Sequence, residues 1–123
     1  GGNLSSEIIN FPGASSVLLA ANTLYSNEAK KEYLSSNISD NWDALSKQLA
    51  EKSLEKYNSS ISLAILGEAG PIPSSEYKIG EIFIAISNKK ETVTFNHKLR
   101  GSREDIIARS VNKAIWELIN IIK

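Results

Sequence analysis

Short apolar runs alternate with segments of helical spacing along this chain, and that alternation constrains the fold more than any other feature. Continuous apolar runs are typical of buried β-strands, whereas apolar residues three and four positions apart are typical of helices. The predicted strands are residues 17–25, 61–66, 80–87 and 91–99. The predicted helices are residues 3–10, 27–34, 41–57 and a last helix that begins at Ser102. This order predicts an α/β domain of three layers, with helices on both faces of a mostly parallel mixed sheet.

One strand of the sheet is predicted to be antiparallel. Only residues 88–90 separate the run 80–87 from the run 91–99, and a connection that short suits a hairpin. The second of these runs alternates apolar with polar side chains, which fits a paired strand. The last helix has its apolar residues at helical spacing, which predicts burial of Ile106, Ile107, Val111, Ala114, Ile115, Leu118 and Ile122.

Length and charge limit the classes of function. A chain of 123 residues, 41% hydrophobic and 23% charged, predicts a single domain that covers residues 1–123. Fourteen basic residues balance fourteen acidic ones, so net charge favours neither nucleic acid nor an anionic membrane as a partner. No apolar run approaches the roughly 18 residues of a membrane span, and the first residues lack a signal-peptide pattern. We therefore expect a soluble, cytoplasmic protein.

The residue inventory also argues against a metal centre. The chain has no cysteine, which removes disulfides, thiolate ligands and cysteine nucleophiles. One histidine, His97, is too few for a zinc site or a histidine-based triad. Its place on an alternating strand predicts a packed or edge residue. We predict neither a metal nor a cofactor.

A lysine and a tyrosine mark the candidate site, where the run 17–25 gives way to a helix. Residues 25–30 read Tyr-Ser-Asn-Glu-Ala-Lys, and the carboxyl ends of strands in an open α/β sheet are where ligands bind. Lys30 there can be an acid, a base or an anion clamp. It can also be an ordinary solvated lysine, because its unperturbed pKa is about 10.4 and it acts as a base only when its charge is destabilised.

Four motifs together carry a resemblance to a known family. They are residues 11–16 (Phe-Pro-Gly-Ala-Ser-Ser), 25–30, 67–71 (Gly-Glu-Ala-Gly-Pro) and 101–103 (Gly-Ser-Arg). In this order and spacing, the chain resembles the C-terminal domain of competence/damage-inducible protein CinA over essentially all its residues. That family includes amidohydrolases of nicotinamide mononucleotide, which release ammonia and the acid nucleotide.

The resemblance implies roles for particular residues. In the family, a serine nucleophile is paired with the lysine that corresponds to Lys30, and Tyr25 would orient that lysine or bind the substrate amide. An aromatic residue at a strand end can also simply cap the core. The remaining residues implied in substrate and phosphate binding are Gly67, Ala69, Gly70, Arg103, Ser15 and Ser16. Tyr25, Lys30, the loop 67–71 and Arg103 are expected to meet in one cleft that takes a nucleotide.

The nucleophile itself is not matched. In the family it belongs to a Glu-Ser-Cys-Thr-Gly-Gly segment, whose two glycines correspond to residues 1–2, so the serine and the family's first strand would precede this chain. The sequence context of Ser5, Ser6, Ser15 and Ser16 does not mark a nucleophile. Glu68 also places a carboxylate where the family commonly has a small apolar residue. The resemblance thus predicts an amidohydrolase domain whose activity is impaired in residues 1–123 alone. The alternative is an inactive relative that binds a nucleotide or a protein.

Self-association is the last expectation. Trp42 and Trp116 can mark either the core or an interface, because aromatic residues are enriched at both. The family tends to self-associate, so the resemblance implies a homo-oligomer.

Overall fold

The computed structural model describes residues 2–72 and 75–122. The four helices are α1 Asn3–Ile9, α2 Asn27–Leu34, α3 Trp42–Tyr57 and α4 Arg103–Ile122. The three strands are β1 Ile61–Gly67, β2 Glu81–Asn88 and β3 Thr92–Lys98. The predicted helices and the last three predicted strands are confirmed within a few residues at each end.

The sheet is antiparallel throughout, so the predicted mostly parallel sheet is wrong. Its order is β1-β2-β3, with Ile61 opposite Asn88 in the first pair and Glu81 opposite Lys98 in the second. The predicted β2–β3 hairpin is confirmed.

The error lies in the connection between β1 and β2. A parallel pair needs a crossover, which is usually a helix, and the described part of residues 68–80 contains none. Instead the ladder closes at its end, where the Gly80 N–H donates to the Glu68 carbonyl at 2.6 Å. The segment is therefore a long hairpin loop.

Helices cover both faces of the sheet. The side chains of Ile82, Ile84 and Ile86 point to one face and cluster with Ile106 and Ala114 of α4. Phe83 points to the other face, in a cluster with two leucines of α3, Leu45 and Leu49. β2 is consequently buried on both sides, which explains its continuously apolar sequence.

The segment 17–25 is extended but is not a strand, contrary to the prediction. Val17, Leu19 and Tyr25 are 74%, 66% and 82% exposed, and no described strand pairs with the segment. Leu24 reaches the cluster under α3. An apolar run alone does not make a buried strand, because its backbone groups must also find partners in a sheet.

Polar side chains cap the starts of two helices. The side-chain oxygens of Ser26 and Asn41 accept the N–H groups of Ala29 and Ala44, so α2 and α3 begin with side-chain caps.

On the α4 side, His97 Nε2 lies 3.1 Å from the buried carboxylate of Glu117. The histidine thus links β3 to α4 as a packed residue, as its strand position predicted.

The burial of α4 differs from the prediction near its end. Ile106, Val111 and Ala114 are buried, but Ile122 is 64% exposed, so its predicted burial is wrong. The neighbouring Ile121 instead packs against the core cluster, so the last turn of α4 buries Ile121 and leaves Ile122 in solvent. At its start, the Ser102 N–H donates to Asp105 Oδ2 at 3.0 Å, and this hydrogen bond lowers the pKa of the Asp105 carboxyl.

Candidate functional site

Lys30 lies near the start of α2, just after the exposed segment 17–25. The Ser26 hydroxyl fixes this helix end by accepting the Ala29 N–H at 3.0 Å. Lys30 is half-buried, and its Nζ donates to the Tyr25 carbonyl at 3.5 Å. Burial lowers the pKa of the Lys30 amine, because desolvation penalises its charged form. The local fold therefore shifts Lys30 towards the neutral form that a base requires.

Tyr25 precedes the cap of α2 and projects from the domain. Its side chain is 82% exposed, so it does not cap the core. Lys30 and Tyr25 form the first part of the candidate site, with an amine and a phenol at one helix start.

Arg103 and the loop 67–71 form a second part. Arg103 lies in the first turn of α4, and its Nη1 donates to the Gly70 carbonyl at 2.7 Å. Gly70 has a φ of +75°, a backbone conformation that glycine adopts without strain, while Ala69 packs against the core cluster under α4. An arginine has five N–H donors, so Arg103 can hold the loop and still bind an anion.

Glu68 anchors the same loop from inside. Its side chain is 4% exposed, and the Ser75 hydroxyl donates to Glu68 Oε2 at 2.5 Å. The Tyr77 N–H in turn donates to the Ser75 hydroxyl at 3.2 Å. Sequence reasoning identified Glu68 only as a carboxylate in place of the family's small apolar residue and missed this structural role.

An aromatic stack completes the support of the loop. The Trp42 N–H donates to the Tyr77 hydroxyl at 2.8 Å, and the two rings stack with centroids 4.6 Å apart. Phe83 meets both rings edge-on. Trp42 therefore belongs to the core at this edge, and sequence reasoning missed Tyr77 because no helical or strand period marks it.

Ser15 and Ser16 lie elsewhere, in a single 3₁₀ turn, Ala14–Ser16, that follows α1. Both are exposed, and the Ser16 hydroxyl donates to the Gly13 carbonyl at 2.7 Å. Across residues 2–72 and 75–122, no hydrogen bond joins these serines to Lys30 or joins Lys30 to Arg103. The direct contacts thus bring together Lys30 with Tyr25 and Arg103 with Gly70.

Gly2 lies near the segment that carries Tyr25. A Cβ atom on Gly2 would lie 4.0 Å from Thr23 Oγ1, so the start of α1 lies beside the segment that carries Tyr25.

Metal-binding clusters and membrane-spanning helices are both absent from the described part of the chain. Residues 2–72 and 75–122 contain no cluster of three or more histidine, aspartate or glutamate side chains that could hold a metal ion. Nor do they contain a helix that is long and apolar enough to cross a membrane.

Comparison with known proteins decides the family. The model of the CinA C-terminal domain matches residues 1–122. The chain belongs to the CinA C-terminal domain family. The resemblance drawn from the sequence motifs is therefore confirmed.

Individual CinA-like proteins also match most of this chain. A CinA-like protein of Endomicrobium trichonymphae is 34% identical over 122 residues, which cover 94% of this chain and 28% of that protein. A CinA-like protein of Fervidobacterium nodosum is 36% identical over 117 residues, or 89% of this chain and 29% of that protein. The chain thus spans less than a third of the length of these curated relatives.

Solved structures of CinA proteins have the same fold. The competence or damage-inducible protein of Enterobacter asburiae matches with a TM-score of 0.91 and 22% identity, over 100% of this chain and 82% of that one. The CinA superfamily protein of Escherichia coli matches with a TM-score of 0.91 and 22% identity, over 98% and 74%. At this identity the likeness describes the fold alone.

Proposed function

We propose that this domain supplies the base and the binding groups of a nicotinamide mononucleotide amidohydrolase, and that its serine nucleophile comes from outside residues 1–123. The observation that carries the proposal is the half-buried Lys30, whose pKa is lowered by desolvation at the start of α2. Perturbed ionisable groups of this kind concentrate at functional sites. Membership of the CinA family supports the choice of substrate through the motif 25–30.

The proposed chemistry follows from what a neutral lysine can do. The serine oxygen adds to the carboxamide carbon, and Lys30 Nζ accepts the serine proton. The C–N bond then breaks, and the lysine returns the proton to the leaving group as ammonia forms. Water hydrolyses the resulting ester, which gives the acid nucleotide and restores the serine. A lowered lysine pKa helps because only the neutral amine accepts a proton.

The position of Gly2 supports an external nucleophile. In the family the serine lies shortly before the two glycines that correspond to residues 1–2, and Gly2 lies beside Thr23. A segment leading into Gly2 would therefore bring a serine towards Tyr25 and Lys30.

Arg103 is the proposed phosphate ligand, and Glu68 is expected to lower the affinity of the site for phosphate. The guanidinium retains donors beyond the one that binds Gly70. The buried carboxylate of Glu68 in the same loop opposes an anion nearby. We therefore expect this site to bind the phosphate weakly.

The alternative is a non-catalytic domain that binds a nucleotide or a protein. The observation that favours it is the lack of an activated serine: within the described residues, no serine hydroxyl is hydrogen-bonded to Lys30. Binding without turnover would distinguish this alternative from the amidohydrolase.

The decisive experiment fuses a strand ending in Glu-Ser-Cys-Thr directly before Gly1 and measures ammonia release from nicotinamide mononucleotide. We expect release that depends on the fused serine and falls by about a hundredfold or more in Lys30→Ala, the range for loss of a general base. Lys31→Ala is the matched control, since this exposed neighbour should leave the rate unchanged. A folded fusion that binds the nucleotide but releases no ammonia would support the non-catalytic alternative.

A further inference from the structure

Two side-chain hydrogen bonds attach the chain on either side of Lys30 to α3. Before the lysine in the sequence, Asn22 Nδ2 donates to the Tyr57 hydroxyl at 3.0 Å. After it, the hydroxyls of Tyr33 and Ser53 share a hydrogen bond of 2.8 Å. The stretch of chain between these two bonds contains Lys30 and is therefore held at both ends by side chains of a single helix.

The two anchoring residues of α3 lie on one face of that helix. Ser53 and Tyr57 are one helical turn apart, a spacing that places their side chains next to each other. Lys56 Nζ lies 5.1 Å from the centre of the Tyr33 ring, which is within the range of a cation–π contact. The last turns of α3 therefore contact α2 through a hydroxyl and an ammonium group together.

α2 depends on these attachments because it buries little of its own surface. Within the described range 27–34, none of its residues is fully buried. Tyr33 and Leu34 are half-buried and pack against the cluster under α3, and Leu24 joins that cluster from the preceding segment. A short helix with so few buried contacts shifts or frays readily when one attachment is lost. The Tyr33 hydroxyl therefore helps to set where α2 lies.

The ionisation of Tyr33 is compatible with this role. Burial raises the pKa of the Tyr33 phenol above its ordinary 10.0, and the neighbouring Tyr57 adds to the rise, although the hydrogen bond with Ser53 opposes it. The hydroxyl thus keeps its proton at neutral pH and stays able to bond to Ser53. Desolvation also lowers the pKa of Lys30, one turn earlier on α2. Both pKa shifts require α2 to lie against the domain.

We propose that Tyr33 and Tyr57 are positioning residues for Lys30: their hydroxyls hold the chain on both sides of the lysine against α3 and so set the position of its amine. This inference rests on the proposed function, in which Lys30 is a base. Proton transfer needs its two heavy atoms within hydrogen-bond reach, and a misplacement of about 1 Å can cost about a hundredfold in rate. Two phenols that touch no reacting atom thus determine how well the base works.

The test is an NMR titration of the Lys30 amine in the 123-residue chain, with isotope-labelled lysine and Lys30→Arg to assign the signal. We expect its pKa to rise towards the ordinary 10.5 in Tyr33→Phe, because a displaced α2 exposes the amine to water. Ser53→Ala removes the same hydrogen bond from the other side and should give the same shift, and the double variant should add nothing further. Tyr57→Phe and Asn22→Ala form the second such pair.

Tyr77→Phe is the matched control for the loss of a tyrosine hydroxyl. That hydroxyl is also bonded to α3, but it accepts the Trp42 N–H at the opposite end of the helix. The Lys30 titration should therefore stay as in the wild type. Circular dichroism and thermal unfolding establish that each variant is folded.

Each outcome decides the role of one tyrosine. A folded pair of variants that leaves the Lys30 titration unchanged, or that shifts it no more than Tyr77→Phe does, overturns the role of the tyrosine in that pair. A wild-type amine that already titrates at 10.5 overturns both roles.

The positioning role and the proposed function fail separately. If the titration shifts but the fusion with Glu-Ser-Cys-Thr releases no ammonia, the positioning role stands and the amidohydrolase function is wrong. If the fusion is active, Tyr33→Phe and Tyr57→Phe should lower its kcat by up to about a hundredfold with little change in KM. An active fusion whose kcat and Lys30 titration both ignore these variants would leave the function standing and refute the positioning role.

Discussion

β2 and the segment 17–25 are two apolar runs of similar length, but β2 is buried and the segment 17–25 is largely exposed. In β2, Ile84 and Ala85 are fully buried and Ile86 is 1% exposed. In the other run, Val17 is 74% and Leu19 is 66% exposed. β2 has a strand on each edge and a helix on each face, whereas no described strand pairs with residues 17–25.

The difference teaches that an apolar run is a requirement for burial and not a guarantee of it. Side chains leave water only where the backbone beside them also finds hydrogen-bond partners. In β2 both requirements are met, and the strand becomes the centre of the domain. Within residues 2–72 and 75–122, neither is met along most of the segment 17–25, although Tyr25 ends that segment and Lys30 follows it closely.

The largest expected effect comes from truncating one side chain in each run. Ile84→Ala should cost about 2–5 kcal/mol of the free energy of unfolding, because it leaves a cavity in a packed core. Leu19→Ala should change it by no more than about 0.5 kcal/mol, since the side chain is already in water. Urea unfolding measures both. Equal losses in the two variants would mean that residues 17–25 are packed and would break the comparison.

Two glycines with positive φ provide a sharper contrast. Gly80 has a φ of +91°, and a Cβ atom there would clash with the Leu99 carbonyl, whereas Gly13 has a φ of +87° and open space around it. Gly80→Ala should therefore cost about 2–4 kcal/mol, from backbone strain and overlap together. Gly13→Ala should cost about 1–2 kcal/mol, from strain alone. Similar thermal shifts in the two variants would contradict the difference in packing.

The smallest expected effect concerns Lys30. Burial lowers its folded-state pKa below the ordinary 10.5, so the unfolded chain binds more protons between the two values. Wild-type stability should therefore rise with pH through that window, and Lys30→Met should lack this rise. Near pH 7 the variant should be as stable as wild type or slightly more so, within about 0.5 kcal/mol. Urea titrations near pH 7 and pH 10 measure both quantities, and a wild type that loses stability relative to Lys30→Met over this range would refute the pKa shift.

Local elements of the fold were predictable from the sequence. The apolar spacing of α3 predicted that helix, and the short connection at residues 88–90 predicted the β2–β3 hairpin. The direction of β1 relative to β2 was not predictable in the same way. It depends on whether residues 68–80 form a crossover, and their glycines and prolines mark a loop without stating where it leads.

The candidate site was accessible to sequence reasoning only in part. The motif 25–30 located Lys30, because the residue types and their spacing are specific. The lowered pKa of Lys30 depends on tertiary packing, and the contact between Arg103 and Gly70 spans 33 positions of chain, so no local pattern encodes either. The buried anchor formed by Glu68 and Ser75 was missed for the same reason.

The central claim is that Lys30 is a catalytic base whose nucleophile lies outside these 123 residues. The most direct measurement is ammonia release from nicotinamide mononucleotide by the 123-residue chain itself, compared with a protein-free blank and with Lys30→Ala. The account predicts no release above the blank, since loss of a nucleophile should be at least as severe as the roughly hundredfold or greater loss from removing one oxyanion donor. Release by the 123 residues that Lys30→Ala abolishes would contradict the account, because a serine within the chain would then be the nucleophile.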